Sequence, residues 1–442
     1  MTFEALGIGL LMFPALMICI FIGFPVAFSL MGVALFFGYY RFGDALVYQL
    51  VAKVDDVASY YVLAAVPLFI FMGNMLEKSG TAERLFEAIH LWTQRLPGGL
   101  AVGTIAMCVI FAACSGVIGA TETVVGLLAT PVMLRHGYDK GLISGTVTAG
   151  GSLGAIIPPS VVVIILAAVS EMSLGDMFIG MFIPGLLMAF LYVIYIITRC
   201  YLDSSAGPRI PLANNTMTFT SKLKLTSVAL LPPLILIVSV LGSIMMGIAV
   251  PTEAAAVGAI GTVILTIFYR TFTVAIMMEA MVKTIEVTAM ILVIVVGGTM
   301  FASVFLSSGG FDAVRAVLDF WELGPWGTLI LILGLVFLAG FVLDGLSIIL
   351  IIVPIGFPLV ESFGFDPIWF AVLFLVVKQT SYLTPPMAGA IFYFRAIAPP
   401  EITLAHMYKG VIPFILLDLA VLVLVMVFPE LALWLPEKLL GS

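Results

Sequence analysis

Gly150-Gly151-Ser152-Leu153-Gly154-Ala155-Ile156-Ile157-Pro158-Pro159-Ser160 is the stretch on which the fold turns. Apolar runs flank it on both sides, which places it at membrane depth. Three glycines and two adjacent prolines argue against a continuous helix, since each interior proline costs about 3 kcal/mol and removes a backbone donor. Lipid cannot satisfy the carbonyls such a break frees, so it must be buried in protein or face a wet cavity. Broken helices of this kind bind substrates and ions in secondary transporters.

A second copy follows. Gln379-Thr380-Ser381-Tyr382-Leu383-Thr384-Pro385-Pro386-Met387 again lies between apolar runs, its Pro-Pro pair 227 positions after the first. The same offset relates Pro131 to Pro358, Gly137 to Gly364, Asp139 to Asp366 and Ile164 to Ile391; Pro25 and Gly32 match Pro251 and Gly258 at 226. So many ordered matches indicate a two-fold internal repeat.

Composition bounds the class. With 62% hydrophobic and 10% charged residues and a mean hydropathy of +1.25, the chain reads as an all-α polytopic membrane protein. The runs do not alternate as barrel strands do. A net charge of −7 with scattered basic residues gives no nucleic-acid footprint. Cys19, Cys108, Cys114 and Cys200 lie in or beside apolar runs without metal-ligand spacing and read as structural thiols. No basic residue precedes the apolar run from Ala5 to Tyr40, so no signal peptide is expected.

Residues 1–98 are expected to hold scaffold helices, broken near Gly23-Phe24-Pro25, and an amphipathic arm at 81–96. Residues 99–176 then form a re-entrant hairpin with its tip at Ser115 to Ile118, followed by the broken helix. Scaffold helices recur over 177–326, with a second arm around 311–321. The basic stretch 199–224 links the halves on the cytoplasmic side, by the excess of Arg and Lys there. Residues 327–400 repeat the hairpin, its tip at Asp344-Gly345, and the broken helix; 401–442 supply a closing span and tail. An odd number of crossings per half makes the repeats inverted and puts both termini outside the cytoplasm.

Ser115-Gly116, Arg135-His136-Gly137-Tyr138-Asp139, Gly154 to Ser160, Pro251 to Gly258, Gly364 to Pro367 and Gln379 to Pro386 together resemble the large membrane subunit of tripartite ATP-independent periplasmic (TRAP) transporters. The similarity covers nearly the whole chain. It implies an elevator transporter of the bacterial inner membrane, driven by sodium as coupling ion and needing no organic cofactor. It also implies a small four-helix membrane subunit and a periplasmic substrate-binding protein as partners, besides membrane lipid. The Gln379-Thr380-Ser381 stretch is similar to the branch associated with 2-oxo acids and related carboxylates.

Sodium is a hard cation that takes oxygen ligands, which helix-end carbonyls and hydroxyls supply. Ser115 and Gly116 with Ser152, Gly154 and Pro158 are one candidate site. Asp344 and Gly345 with Gln379, Thr380 and Thr384 are its twin. Glycines that merely let helices approach are the simpler alternative. Thr121, Ser160, Thr384, Pro385 and Lys378 are candidates for binding an organic acid anion, with helix N-termini contributing donors. Lys378 lies deep in an apolar run. Either it pairs with Asp344, its ammonium standing in for one sodium, or it snorkels to an interface or vestibule. Glu122 faces the cavity, titrates a proton, or is a hydrogen-bonded structural carboxylate. Glu253 is expected to cap the helix it begins, and Arg395 to mark the interface.

Two other readings compete. One is a stand-alone organic-anion symporter or exchanger, proton-coupled in one version. The other is an intramembrane enzyme, against which stand the missing Ser/His or metal cluster and the edge positions of His90, His136 and His406.

Overall fold

The computed structural model describes residues 3–116, 119–209, 218–386 and 388–441, and their regular structure is helical throughout. The first half runs α1 (Phe3–Ile22), α2 (Val26–Phe42), α3 (Ala45–Ser59), α4 (Ala65–Glu77), α5 (Thr81–Thr93), α6 (Gly99–Ser115), α7 (Ala120–Arg135), α8 (Lys140–Ser152), α9 (Val161–Ser170) and α10 (Leu174–Leu202). The second runs α11 (Phe219–Met245), α12 (Pro251–Phe268), α13 (Val274–Ser307), α14 (Gly310–Phe320), α15 (Pro325–Ala339), α16 (Gly345–Ser362), α17 (Pro367–Leu383), α18 (Gly389–Ile397), α19 (Leu404–Val427) and α20 (Glu430–Leu440). Among the described residues α10, α11, α12, α13, α16 and α19 are each long and apolar enough to cross a bilayer. This is a multi-pass membrane protein.

The expected breaks and arms are present. Gly23-Phe24-Pro25 separates α1 from α2, and α5 and α14 are the two arms. On α5, Thr81, Ala82, Leu85, Ala88 and Ile89 form the buried stripe that helical spacing demands. Both hairpins are closed at their bases. The Leu100 N–H donates to the Tyr138 hydroxyl at 3.1 Å, tying the entry of α6 to the exit of α7. Trp326 packs edge-on against Phe365 and Trp369, tying α15 to the far end of α16. Asp139 and Asp366, one repeat apart, cap α8 and α17 by accepting from Leu142 N (2.9 Å) and Trp369 N (3.0 Å). Glu253 accepts from Val250 N at 3.2 Å and caps α12. In the linker, the hydroxyl and N–H of Ser205 hold the Asp203 carboxyl below the usual range.

Two bonds join positions one repeat apart: Gln379 to Ser152, and Tyr192 to Asp418. A residue touches its own counterpart only where the two copies meet, so both bonds mark the seam between halves. The halves are crossed over each other as well. The α4 helix packs on α12, and α2 packs on α13.

Two further features shape the fold. The α3 and α4 helices meet at a 55° bend around Tyr60 to Ala64, whereas the matching part of α13 is continuous. Pro67 accounts for this, because its ring clashes with the carbonyl four residues earlier; its counterpart in α13 is Ile294. The tail is also not plain. It forms α20, packed on α10 and α17.

Helix packing sorts the chain into two groups. One contains α1–α4 and α11–α14, the other α6–α10 and α15–α20, with α5 packed against both, on α11 and α4 and on α6 and α7. Sequence boundaries at 177 and 401 put α10 and α19 with the scaffold, but they pack on α6, α8, α9 and α17. The reason is a glycine crossing: a Cβ on Gly145 would lie 2.2 Å from the Gly410 carbonyl oxygen, and one on Gly410 would lie 2.1 Å from that of Gly141. Backbones this close leave α19 riding on α8.

Candidate functional site

The first break begins where α8 stops at Ser152. A short 3₁₀ turn, Leu153–Ala155, carries the chain to Pro158-Pro159, a cis bond, and α9 restarts at Val161. Every residue from 150 to 160 is buried. The freed groups are satisfied locally: the Ser152 hydroxyl donates to Ala149 O (2.9 Å) and the Ser160 hydroxyl to Ala155 O (2.9 Å). The tip of the first hairpin locks onto this break. Gly116, at φ +60°, accepts from the Val161 N–H at 3.1 Å, and a Cβ there would sit 2.6 Å from the Pro159 carbonyl oxygen. Val117 and Ile118 of the expected tip, and the side chain of Ser115, lie outside the described residues.

Glu122 and Thr121 start α7 and are both fully buried. Glu122 Oε2 accepts from the Gly119 N–H at 2.6 Å, which caps the helix. Its Oε1 has no hydrogen-bond partner. The carboxylate stem lies on Gly151, where a Cβ would come within 2.9 Å of the Glu122 Cα.

The second break is built differently. Lys378, Gln379, Thr380 and Ser381 are buried on α17, and three hydroxyls return to their own helix: Thr380 to Val376 O (2.8 Å), Ser381 to Lys378 O (2.8 Å) and Thr384 to Thr380 O (2.7 Å). Pro385-Pro386 is also cis, and Pro385 is half-buried. The Gln379 amide nitrogen donates to Ser152 Oγ, and its Oε1 is buried without a partner. Gln379 therefore reaches the first break rather than Asp344. Asp344 is exposed at the hairpin tip and caps α16, accepting from Leu346 N (3.0 Å), Ser347 N (3.4 Å) and the Ser347 hydroxyl. Gly345 is where Lys378 rests: a Cβ on it would lie 2.6 Å from Nζ. Among the described residues no carboxylate comes within 4 Å of that ammonium, and it stands 5.6 Å from the centroid of the Tyr382 ring.

These elements enclose a cavity of about 390 Å³. Gly116, Val161 and Val162 come from the first hairpin and break; Asp344, Gly345, Lys378, Ser381, Tyr382, Phe392 and Tyr393 from the second; and Ile70, Val287, Met290 and Ile291 from α4 and α13 across the divide. A wider vestibule of about 1120 Å³ shares Ile70, Val287, Met290 and Tyr393 and carries the ion pairs Lys78–Glu279 (2.7 Å) and Lys283–Glu286 (3.4 Å). The helix ends there are joined by Thr271 donating to Ser79 O (3.0 Å). At the far end of α5, the Trp92 ring N–H donates to the Thr226 hydroxyl of α11 (2.8 Å).

Of the residues expected to bind, Gly116, Asp344, Gly345 and Lys378 line the cavity. Ser152, Gly154, Pro158 and Ser160 are buried behind it, as are Gln379 and Thr380. Tyr382, Tyr393 and Phe392 line it without having been expected. Tyr382 follows Lys378 by one helical turn, which is the signal that could have found it. Two unpartnered oxygens, Glu122 Oε1 and Gln379 Oε1, flank Gly151-Ser152 and suit a hard monovalent cation.

Residues 13–431 match the family model described as the tripartite ATP-independent periplasmic transporter, DctM component. The chain belongs to this DctM family. A C4-dicarboxylate TRAP transporter large permease of Pseudomonas aeruginosa is 31% identical, over 90% of this chain and 91% of its own. The sialic acid TRAP large permease of Vibrio cholerae is 31% identical over 96% and 97%. The ectoine/5-hydroxyectoine permease of Ruegeria pomeroyi is 29% identical over 96% and 98%. The Alcanivorax borkumensis YdaH transporter shares the fold, with a TM-score of 0.63 at 16% identity over 88% of this chain and 89% of that one. The chain is a large membrane subunit of the TRAP class, and the DctM family is one of transport, not catalysis.

Proposed function

We propose that this DctM protein carries out sodium-coupled uptake of a small organic acid anion, a 2-oxo acid or related carboxylate, in a bacterial inner membrane. The relatives are named as large permeases of TRAP transporters, so a small four-helix membrane subunit and a periplasmic substrate-binding protein complete the machine. The observation that carries the reading is a cavity bounded by both hairpin tips, with an ammonium that makes no direct ion pair on its wall and unpartnered oxygens behind it.

The group α6–α10 with α15–α20 is the moving part, and α1–α4 with α11–α14 the fixed one. Cargo sits against Lys378 and Gly345, and sodium is held beside Ser152 by the Gln379 and Glu122 oxygens. The bond from Gln379 to Ser152 couples the two breaks, so an ion at one orders the other. The repeats lie inverted, with both termini periplasmic. The vestibule then faces the cytoplasm, and this conformation is the releasing one.

The test is reconstitution of the three components in liposomes. Uptake of organic acid should follow an inward sodium gradient and vanish when choline replaces sodium; unaltered uptake without sodium rejects the reading. Glu122, a buried carboxylate with a free oxygen, favours one alternative, a stand-alone proton-coupled exchanger. Strong uptake by the chain alone, driven by a pH gradient, would establish that instead.

A further inference from the structure

The cavity's chemistry narrows the cargo beyond its being an organic acid, and this step rests on the transport reading above. Only two of the residues lining it are charged, Lys378 and Asp344. Asp344 already accepts from two N–H groups and the Ser347 hydroxyl at the start of α16, so it asks for no cationic partner. Lys378 is different. It is 2% exposed and, among the described residues, makes no ion pair within 4 Å; Asp344 and Glu122 act on it only from further off. A buried ammonium with no direct ion-pair partner in a membrane protein has room for one from outside. There is one such ammonium, hence room for one carboxylate.

The second polar feature is the Tyr382 hydroxyl, one helical turn further along α17. It is buried and has no hydrogen-bond partner. An ammonium and a phenol hydroxyl one helical turn apart on the same wall can together meet a carboxylate and a second oxygen of one ligand. Ser381 and Tyr393 add two more hydroxyls, that of Ser381 already donating to Lys378 O, and the rest of the wall is largely apolar: Val161, Val162, Met290, Ile291, Ile348 and Phe392. A sugar acid would strand its hydroxyls against them, and a dicarboxylate would strand a charge.

We propose that the cargo is a 2-oxo or 2-hydroxy monocarboxylate with an apolar branched or aromatic body. Tyr382 reads its second oxygen, and Lys378 holds its carboxylate. A site built to hydrogen-bond a group discriminates against the analogue lacking it.

Calorimetric titration of the purified complex in saturating sodium tests this with phenylpyruvate, ketoisocaproate, hydrocinnamate, succinate and ectoine. Phenylpyruvate and ketoisocaproate should bind. Hydrocinnamate, which lacks the oxo group, should be about tenfold weaker, and succinate and ectoine at least about 100-fold weaker. In Tyr382→Phe the ratio of phenylpyruvate to hydrocinnamate affinity should fall to near one with hydrocinnamate unchanged; a merely structural tyrosine would weaken both together. The proposal is overturned if succinate or ectoine binds tightest, if Tyr382→Phe preserves the ratio, or if no compound binds to monodisperse protein. Sodium-driven uptake of succinate would overturn it while leaving the transport reading intact. Absence of sodium-dependent uptake for any acid would remove that reading itself.

Discussion

The two broken helices share a plan, a spacing and a cis diproline, yet they present opposite faces. The first, from Gly150 to Ser160, is buried throughout, its hydroxyls turned back onto Ala149 and Ala155 and its hairpin tip bonded in place at Val161. The second carries Lys378 and Tyr382 to the cavity wall, and its tip is open, with Asp344 exposed. One break is closed like a lock; the other is the one proposed to read the cargo. Glu122 and Lys378, the buried charged side chains of the site, fall one on each side.

The largest test of this asymmetry lies in the glycine crossing of the first half. Gly145→Val should destroy the fold, because even a Cβ meets the Gly410 carbonyl oxygen at 2.2 Å. The expected loss exceeds about 3 kcal/mol, seen as loss of monodisperse protein on size-exclusion. The equivalent residue in the second half is Val372, and Val372→Ala should cost only about 2 kcal/mol in thermal unfolding. Equal losses would erase the difference between halves.

The hairpin tips come next. Gly116→Ala combines a left-handed φ with overlap on the Pro159 oxygen and should cost about 2–3 kcal/mol. Gly345→Ala meets only the mobile end of Lys378, so stability should hold within about 0.5 kcal/mol. Its effect should appear in cargo affinity instead, about tenfold weaker by titration.

These two buried side chains separate the two roles. Lys378→Met should weaken carboxylate binding about 100-fold while leaving the melting temperature unchanged or raised, since a buried charge with no direct ion pair is removed. Glu122→Gln keeps an acceptor for the Gly119 N–H and should leave cargo affinity within about threefold. The apparent sodium affinity should fall about tenfold. If that variant loses cargo but not sodium, the assignment of the two halves is reversed.

Ser152→Ala is the smallest expected change. It removes the Gln379 bond at the seam, worth about 1 kcal/mol, together with the hydroxyl's own bond to Ala149 O, and should lower the Hill slope for sodium by uncoupling Gln379 from the first break.

Much of this architecture was readable in the chain. Proline pairs in apolar runs act locally, so their signal sits in a few adjacent residues, and the 227-residue offset, with Asp139 and Asp366 among its matches, needs only the sequence laid against itself. The size of the bend before α4 was not legible: the change from polar to apolar at Tyr60-Tyr61 marks the boundary, but the 55° angle depends on how Pro67 acts on the residues upstream. The membership of α10 and α19 was hidden for a different reason: it depends on Gly141 and Gly145 meeting Gly410, more than 260 positions away in sequence. At the site, Lys378 stood out by charge, but Tyr382 looked like one more aromatic in an apolar run. Gln379 was assigned to its own hairpin, and only the meeting of the two copies shows that it reaches Ser152.

The crossed pairing of α2 with α13 and α4 with α12 has a consequence for assembly. Neither half possesses a finished wall: each lends a helix to the other's, so synthesis of residues 1–209 alone yields a partner-hungry intermediate that must await the rest of the chain. Once both are in place, the covalent tether becomes superfluous. Cleavage by an engineered protease site between Arg209 and Thr218 should leave two fragments that travel as one particle and still carry cargo.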